Sequence, residues 1–393
     1  TPVIFYAVLI APIAALWLWA PLFRQHRRAY VGCALVTALL IAAPALLIYA
    51  MRSDSMDFGL LSHLQLFSGG LLATIGMGLV FALARDLLWL LARLMCNTQA
   101  AHWIARPRWT AGFLVMALLL NGYGLTQGTQ LPAVHEHEVT LPRLPPALDG
   151  LRIGVMADIH ATPVNNAVYV QGLVDRLNAA QPDMVLLPGD LIDGDAPSQW
   201  GNIAPLAHLQ APLGVWSAPG NHEYYSGYNA WAKVFSRLNL NYLANQAQVL
   251  QVRGHTLAIS GVGDPAYGRL STHNTDPSVP EGVPPDIHAV ASQIQAAGGA
   301  DIHILLGHQP KMARSYAPHG VDLQVAGHTH GGHIVGMDRW LVAPANDGFV
   351  RGLYDVGAMR LFVSAGAGLW PGFAVRLGVP PSIDVLVLRA PQL

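Results

Sequence analysis

Short apolar runs that each end in a polar motif are the feature that most constrains the fold of this chain. The motifs, in chain order, are Asp158-Ile159-His160, Gly189-Asp190, Gly220-Asn221-His222-Glu223, Gly307-His308 and Gly327-His328-Thr329-His330. Short apolar runs bounded by turn residues predict buried strands. Polar residues directly after such strands are typical of sites at the carboxyl edge of an open α/β sheet.

The stretches between the motifs complete this pattern. Apolar runs that predict strands lie at residues 151–157, 184–187, 215–218, 257–262, 302–306 and 323–326. Residues 167–180 instead carry apolar side chains at helical spacing, among them Val170, Leu173 and Leu177. Strands that alternate with helices predict an α/β domain, which we place at residues 151–393.

Seven side chains in the motifs are of the types that bind divalent metal ions. They are Asp158, His160, Asp190, Asn221, His308, His328 and His330. Carboxylates, imidazoles and amide oxygens bind Mn, Fe and Zn, and this donor set does not distinguish among these metals. Two ions that share one carboxylate can hold a water molecule that becomes hydroxide near neutral pH. The residues therefore predict a two-metal hydrolytic site.

Two details of the motifs bear on the geometry of that site. Asp158 and His160 lie two residues apart, so in an extended strand end their side chains would point the same way. A glycine precedes a ligand in four of the motifs, where a tight turn lets the backbone approach an ion closely. The residue types alone do not assign ligands to individual ions.

The order and spacing of the five motifs resemble those of the calcineurin-like metallophosphoesterase family. The resemblance covers about residues 151 to 388, and the flanking stretches 327–332 and 352–354 are most similar to its membrane-associated bacterial branch. The family fold is a β-sandwich of two mixed sheets flanked by helices, which we therefore expect here. One departure is His333, where the family pattern would place Gln after the paired glycines.

The resemblance also implies a role for each motif residue. Asp158, His160, Asp190 and His330 would hold one ion, and Asp190, Asn221, His308 and His328 the other, with Asp190 as the bridge. His222 would be no ligand, but the catalytic group that protonates the leaving oxygen. The implied reaction is attack of the metal-bridged hydroxide on a phosphodiester or pyrophosphate bond. For Glu223 we expect loop-orienting hydrogen bonds, and for Asp193 a role in a turn or as a helix cap. For Asp264 we expect a role in loop structure, with a contact behind the ligands as the alternative.

Residues 1–126 differ in composition from the rest of the chain. The chain of 393 residues is 52% hydrophobic and 11% charged, and its long apolar runs are concentrated in residues 1–126. A helix needs about 20 apolar residues to cross a bilayer. We predict a helical membrane domain with four spans, near residues 3–23, 30–51, 64–83 and 110–125. The first span could instead be a signal peptide, but it lacks a basic start and a small-residue cleavage site.

Positive charges predict the orientation of this domain. Arg24, Arg27 and Arg28 follow the first span, and further arginines follow the third. Because such segments stay in the cytoplasm, the catalytic domain is predicted on the periplasmic side of a cell inner membrane. Residues 86–95 are predicted to lie along the membrane interface. If they belonged to a further crossing, the enzyme would face the cytoplasm.

Residues 127–150 form the predicted linker between the two domains. The segment contains Pro132, Pro142, Pro145 and Pro146, which predict an extended connector rather than a helix. His135 and His137 alternate with glutamates in it, and we favour a solvated linker over a metal site for these two histidines.

Composition excludes some functions and leaves others open. The net charge of −1, without a basic run in the catalytic half, gives no basis for nucleic-acid binding. Cys33 and Cys96 do not predict a disulfide framework. The resemblance implies a phosphoester substrate, and the membrane domain suggests that this substrate is lipid-linked. The lipid bilayer is the other expected partner. Trp370 and Phe373 would line an apolar entry for such a substrate or simply pack.

Two alternatives remain at this stage. The spans would serve only as a tether in a phosphodiesterase of broad specificity. In the other alternative, the protein is a catalytically silent metal-binding receptor or scaffold at the membrane. The oligomeric state is not predicted.

Overall fold

The computed structural model describes residues 11–23, 26–50, 57–268 and 281–391. Contacts divide the described residues into two units. One runs to Gln127 and includes Pro371–Val375, and the other holds Gly128–Trp370 and the residues from Arg376 on.

The first unit is helical. Residues 11–18 are helical, and the further helices are α1 (Arg27–Ala50), α2 (Phe58–Leu94), α3 (Thr98–Ile104) and α4 (Arg108–Thr129). Among the described residues, α2 and α4 are long and apolar enough to cross a membrane. The predicted spans at 64–83 and 110–125 lie inside them. Residues 30–50 of the predicted span at 30–51 lie in α1, and residue 51 lies outside the described residues. The span at 3–23 lies partly outside the described residues, so four spans stay a prediction.

Helix α2 is longer than the sequence pattern suggested. Asp57 caps its first turn by accepting a hydrogen bond from Leu60 N at 2.9 Å. Residues 86–94, predicted to lie along the membrane interface, are helical, but they continue α2 unbroken to Leu94; their place relative to a membrane stays a prediction. No glycine or proline interrupts the segment, and its leucines favour the helix.

The second unit contains two six-stranded sheets in its described residues. Sheet 1 has the order β1-β12-β2-β3-β4-β5, with β1 (Val134–Thr140), β2 (Arg152–Val155), β3 (Met184–Leu187), β4 (Val215–Ser217), β5 (Asn241–Tyr242) and β12 (Ile383–Arg389). Sheet 2 has the order β10-β11-β9-β8-β7-β6, with β6 (Gln246–Val252), β7 (His255–Gly261), β8 (Ile302–Leu306), β9 (Leu323–Ala326), β10 (Gly352–Val356) and β11 (Met359–Val363). Each sheet combines parallel and antiparallel pairs. The predicted mixed-sheet α/β fold is confirmed.

Helices flank these sheets. They are α5 (Ala167–Ala179), α6 (Ala196–Ile203), α7 (Asn221–Tyr225), α8 (Tyr228–Arg237), α9 (Ile287–Ala296), α10 (Ala313–Tyr316) and α11 (Ala343–Ala345). The helix predicted at 167–180 is confirmed as α5. Asn166 caps it by accepting from the backbone N–H groups of Val168 and Tyr169, and its apolar spacing becomes a buried face.

Alternation along the strands explains the layers. In β3, Met184 and Leu186 face a core shared with residues of sheet 2 such as Ile304. Their neighbours Val185 and Leu187 face the other way, into a core shared with α5 and α8. Because side chains alternate along a strand, the two sheets pack together and the helices cover their outer faces.

The segment predicted as a solvated linker is part of the sandwich. β1 pairs in parallel with β12 from Val134 to Thr140. His137 Nε2 lies 3.0 Å from Asp384 Oδ1, and Val139 and Leu141 are buried in the core. The prediction of a free linker is therefore wrong. Two effects favour the added strand. It buries these apolar side chains, and it pairs backbone groups of β12 that would otherwise lack a partner.

Candidate metal centre

The five motifs converge at one edge of the sandwich. Asp158, Asp190, Asn221, His308 and His328 follow β2, β3, β4, β8 and β9, which lie at the centres of the two sheets. Central parallel strands end at the same edge, so side chains distant in sequence meet there. The structure brings all seven predicted ligands together at this edge, in two neighbouring clusters.

The first cluster contains Asp158, His160 and His330. His160 Nε2 lies 3.1 Å from His330 Nε2, and His330 Nε2 lies 3.9 Å from Asp158 Oδ1. All three side chains are buried. Donor atoms this close together around one point are suited to holding a single ion.

The second cluster contains Asp190, His308 and His328. His308 Nε2 lies 3.1 Å from Asp190 Oδ2, and Asn221 Oδ1 lies 2.8 Å from His328 Nδ1. Asn221 therefore adds its amide oxygen to this cluster.

Asp190 lies between the two clusters. Its Oδ2 atom is 3.1 Å from His308 Nε2 and 3.9 Å from His160 Nε2. This is the position that a shared carboxylate requires. The assignment of ligands to two ions stays a prediction.

The ligand side chains reach the site from an unusual backbone conformation. Asp158, His160, Asp190, His328 and His330 have φ angles of 53°, 45°, 52°, 72° and 48°. The expectation that Asp158 and His160 converge through extended geometry is therefore wrong, since both are in the left-handed region. This region is unfavourable for residues with a Cβ, and such strain is typical of functional sites.

Glycines allow the strand ends to approach one another. A Cβ on Gly189, whose φ is 99°, would lie 2.4 Å from Gly220 N. A Cβ on Gly327 would lie 2.5 Å from Asp158 Oδ2. These glycines let the ligand loops approach one another, because any side chain would push the loops apart. That they also let the backbone approach an ion stays a prediction.

Asp193 connects the first cluster to His222. It accepts hydrogen bonds from the Nδ1 atoms of both His160, at 3.1 Å, and His222. The His222 ring packs edge-on against that of His160, with centroids 4.6 Å apart. Burial lowers the pKa of His222, but the charges of Asp193 and Asp190 outweigh it and raise the pKa to about 9. Burial likewise raises the pKa of Asp193, but the charges of His222 and His160 lower it to about 2.

Glu223 organises the backbone around Asp190. Its carboxylate accepts from the N–H groups of Asp190 at 3.1 Å, Leu191 at 2.8 Å and Gly220 at 2.7 Å. The loop-orienting role expected for Glu223 matches these bonds.

Asp264 accepts from Gln309 Nε2 at 2.7 Å, and burial raises its pKa to about 6.

Aromatic side chains border His222. The ring centroid of Tyr225 lies 5.5 Å from that of His222, and the centroid of Trp370 lies 6.1 Å from it. Trp370 therefore flanks the catalytic candidate, whereas Phe373 belongs to the helical unit.

Comparison with known proteins identifies the domain that carries this site. The model of the calcineurin-like phosphoesterase family matches residues 151–332. A metallophosphoesterase of Campylobacter jejuni is 30% identical over 310 residues, which cover 78% of this chain and 77% of that protein. The chain belongs to the calcineurin-like metallophosphoesterase family.

Two other relatives match a similar share of the chain. A Bos taurus protein named a transmembrane protein with metallophosphoesterase domain is 31% identical over 292 residues, covering 70% of this chain and 62% of that protein. A metallophosphoesterase of Helicobacter pylori is 30% identical over 276 residues, covering 69% of this chain and 68% of that protein. The chain thus spans somewhat less than two thirds of the bovine relative.

The residues of this metallophosphoesterase fit divalent cations. His308 Nε2 is buried and makes no hydrogen bond within the described residues, although it points toward Asp190. Burial lowers the pKa of His308, but the charges of Asp190 and Asp158 outweigh it and raise the pKa to about 10. Burial lowers the pKa of His328 to about 3. The pocket therefore favours positive charge between its carboxylates and keeps His328 neutral, as metal binding requires.

Two residues of this metallophosphoesterase site were missed from the sequence. The sequence places Asp193 near the site, three residues after Asp190, but predicts a turn or helix-capping role rather than bonds to His160 and His222. Arg376 is buried beside His330, and its one sequence signal is an isolated arginine in an apolar stretch. The departure at His333 lies next to the ligands: its ring stacks on His330 at 5.0 Å.

Proposed function

We propose that the protein is a membrane-anchored, metal-dependent phosphoesterase that hydrolyses a phosphodiester or pyrophosphate bond. The observation that carries this proposal is the pair of donor clusters around Asp190, with His222 directly beside them. Asp158, His160, Asp190 and His330 would hold one ion, and Asp190, Asn221, His308 and His328 the other. When bound, two divalent ions drawn from Mn, Fe or Zn would supply Lewis-acid stabilisation of the phosphoryl oxygens and an acidified water.

His222 is suited to protonating the leaving oxygen. Asp193 holds its Nδ1, so Nε2 is the ring nitrogen available to a substrate. With a pKa of about 9, the ring is protonated at neutral pH and carries the proton that a leaving alkoxide or phosphate needs. The backbone N–H of His222 donates to Asp190 Oδ1 at 2.8 Å, which keeps this acid in register with the shared carboxylate.

Asp193 and Glu223 support the reaction without contacting the substrate. Asp193 orients the catalytic candidate and one ligand through a single carboxylate. Glu223 holds the three backbone N–H groups around Asp190. Because Glu223 is buried, Asp193 is partly buried and both are hydrogen-bonded, the reacting groups are positioned before a substrate arrives.

A lipid-linked substrate is the favoured class. Two features support it: α2 and α4 are long and apolar enough to cross a bilayer, and Tyr225 and Trp370 place aromatic surface beside His222. Aromatic rings bind apolar groups well while tolerating a polar edge. We place the catalytic domain on the periplasmic side of an inner membrane, from the distribution of arginines.

A substrate panel tests the proposal. Full-length protein in detergent with Mn is assayed on bis-p-nitrophenyl phosphate, a nucleoside diphosphate, and lipid-linked phosphodiesters and pyrophosphates. We expect hydrolysis, with the highest kcat/KM on a lipid-linked compound, and a loss of about 10²–10⁴-fold in His222→Ala with Mn still bound. Turnover of soluble esters alone would support the tether alternative. Bound Mn without turnover of any substrate would instead support a silent receptor or scaffold.

A further inference from the structure

Arg376 is a buried cation next to the candidate metal centre. Its side chain is 1% exposed. Its guanidinium donates to three carbonyl oxygens: His330 O at 2.6 Å, Ala365 O at 2.8 Å and Gly368 O at 3.0 Å. In the ranges that the structure describes, no carboxylate forms an ion pair with it. A buried charge outside any ion pair is costly, so this one needs a reason beyond packing.

The first of these contacts fixes a predicted ligand. Arg376 Nη2 also lies 3.3 Å from Nδ1 of His330. The guanidinium therefore occupies the Nδ1 side of the ring, and Nε2 is the nitrogen that faces His160 at 3.1 Å. Stacking on His160 and His333, each with centroids 5.0 Å away, fixes the plane of the same ring. Contacts with neighbouring side chains thus set the position of the His330 ring, its plane and the direction in which Nε2 points.

The backbone of His330 needs such support. Its φ of 48° lies in the left-handed region, which is unfavourable for a residue with a Cβ. Donation from Arg376 to the carbonyl oxygen of this same residue stabilises the conformation that aims the ring at the site.

The other two contacts hold a second loop. Ala365 and Gly368 precede Trp370 in a segment that packs closely on the first motif, since a Cβ on Gly368 would lie 2.1 Å from Ile159 O. Trp370, at the end of this segment, reaches to 6.1 Å from the His222 ring. One guanidinium therefore joins the loop of a metal ligand to the loop that borders the catalytic candidate.

We propose that Arg376 is a positioning residue that clasps these two loops, aiming His330 Nε2 at the metal and Trp370 at the substrate beside His222. The proposal rests on the metal-dependent function proposed above. Only a planar fork with several N–H donors reaches three carbonyls at once, and a lysine ammonium does not reproduce it. The positive charge alone would not suffice.

Mn binding and turnover of full-length Arg376→Lys and Arg376→Ala in detergent test this role. Loss of a group that orients a metal ligand weakens metal binding by about 10–100-fold. We expect that loss of Mn affinity in both variants, with kcat reduced even at saturating Mn. Added guanidinium chloride, at millimolar concentrations that leave the wild type unaffected, should restore Mn affinity in Arg376→Ala. Arg351→Ala is the matched control, since Arg351 also donates to this loop, at Gly331 O, but is half-exposed and paired with Asp338.

The outcomes separate the proposal from the function on which it rests. Wild-type Mn affinity and kcat in a folded Arg376→Lys would overturn the clasp, as would equal losses in Arg351→Ala. Mn affinity lost in the Arg376 variants and restored by guanidinium would support the clasp even if the wild type hydrolysed no phosphoester. If Arg376→Ala does not fold, Arg376→Lys carries the test, because it keeps the charge and most of the volume.

Discussion

Replacing Asp193 by Asn should damage two functions at once. The substitution keeps the size of the side chain but removes the charge that binds Nδ1 of His160 and of His222. A hydrogen bond to a charged group contributes about 1.5–3 kcal/mol, so the loss at His222 should lower kcat by roughly 10–150-fold. The loss at His160, a predicted ligand, should weaken Mn binding by about 10–100-fold.

The pH dependence of the variant adds a third readout. The raised pKa of His222, about 9, means that the protonated ring is present below that pH and is lost above it. Wild-type kcat should therefore fall as the pH rises through about 9. Without the charge of Asp193, this alkaline limb should move to lower pH.

The assay measures kcat at saturating Mn across the pH range, and the Kd of Mn by calorimetry, on the full-length protein. Asp195→Asn is the matched control, because Asp195 lies in the same loop but only caps α6, accepting from Ser198 N at 3.0 Å. Asparagine is an equally good cap. If Asp193→Asn and Asp195→Asn were indistinguishable in kcat, Mn affinity and pH profile, the reasoning about Asp193 would be refuted.

Three further predictions concern stability and metal dependence. Glu223→Gln, which replaces one of the two oxygens that accept from three backbone N–H groups by an amide NH2 that cannot accept, should destabilise the domain by about 1–3 kcal/mol in urea unfolding. Burial lowers the pKa of His303 from 6.5 to about 4, so folding stability should fall by about 3 kcal/mol as pH drops through this window. His303→Gln should make the free energy of unfolding less dependent on pH in this window. An unchanged dependence in the variant would contradict the role given to His303. Chelation should abolish turnover and lower Tm. Adding back Mn at 100 times its Kd should raise the free energy of unfolding by about 2.7 kcal/mol.

The strand ends and the convergence of the seven candidate ligands could be predicted because their signals are local. Each ligand lies within a few residues of the apolar run that positions it, as Asp190 follows β3. The chemical type of each donor is also readable directly from the sequence. Convergence of the motifs then follows from the rule that parallel strands present their carboxyl ends at one edge.

The residues that support the ligands could not be predicted in the same way. Arg376 contacts His330 across 46 positions of sequence, and only the folded loops bring the two together. Asp193 is close to Asp190 in sequence, but its two partners come from the loop after β2 and from α7. The left-handed backbone of the ligands likewise depends on tertiary contacts, since their residue types favour other conformations.

Pairing between distant strands explains why the predicted linker is instead strand β1. The residues of β1 include His135-Glu136-His137-Glu138, whose polarity suggests solvent exposure. Their partner β12 lies almost 250 residues later, with His137 opposite Leu386. An edge strand keeps one face polar, so its composition alone resembles that of a linker.

The most direct test of the central claim is the number of Mn ions bound per chain, measured together with turnover of bis-p-nitrophenyl phosphate, in wild type and Asp190→Ala. A two-ion centre built around Asp190 predicts two Mn ions and turnover in the wild type. It also predicts that the variant loses both turnover and at least one ion. Full Mn content with undiminished turnover in Asp190→Ala would contradict the claim that this carboxylate joins two catalytic ions.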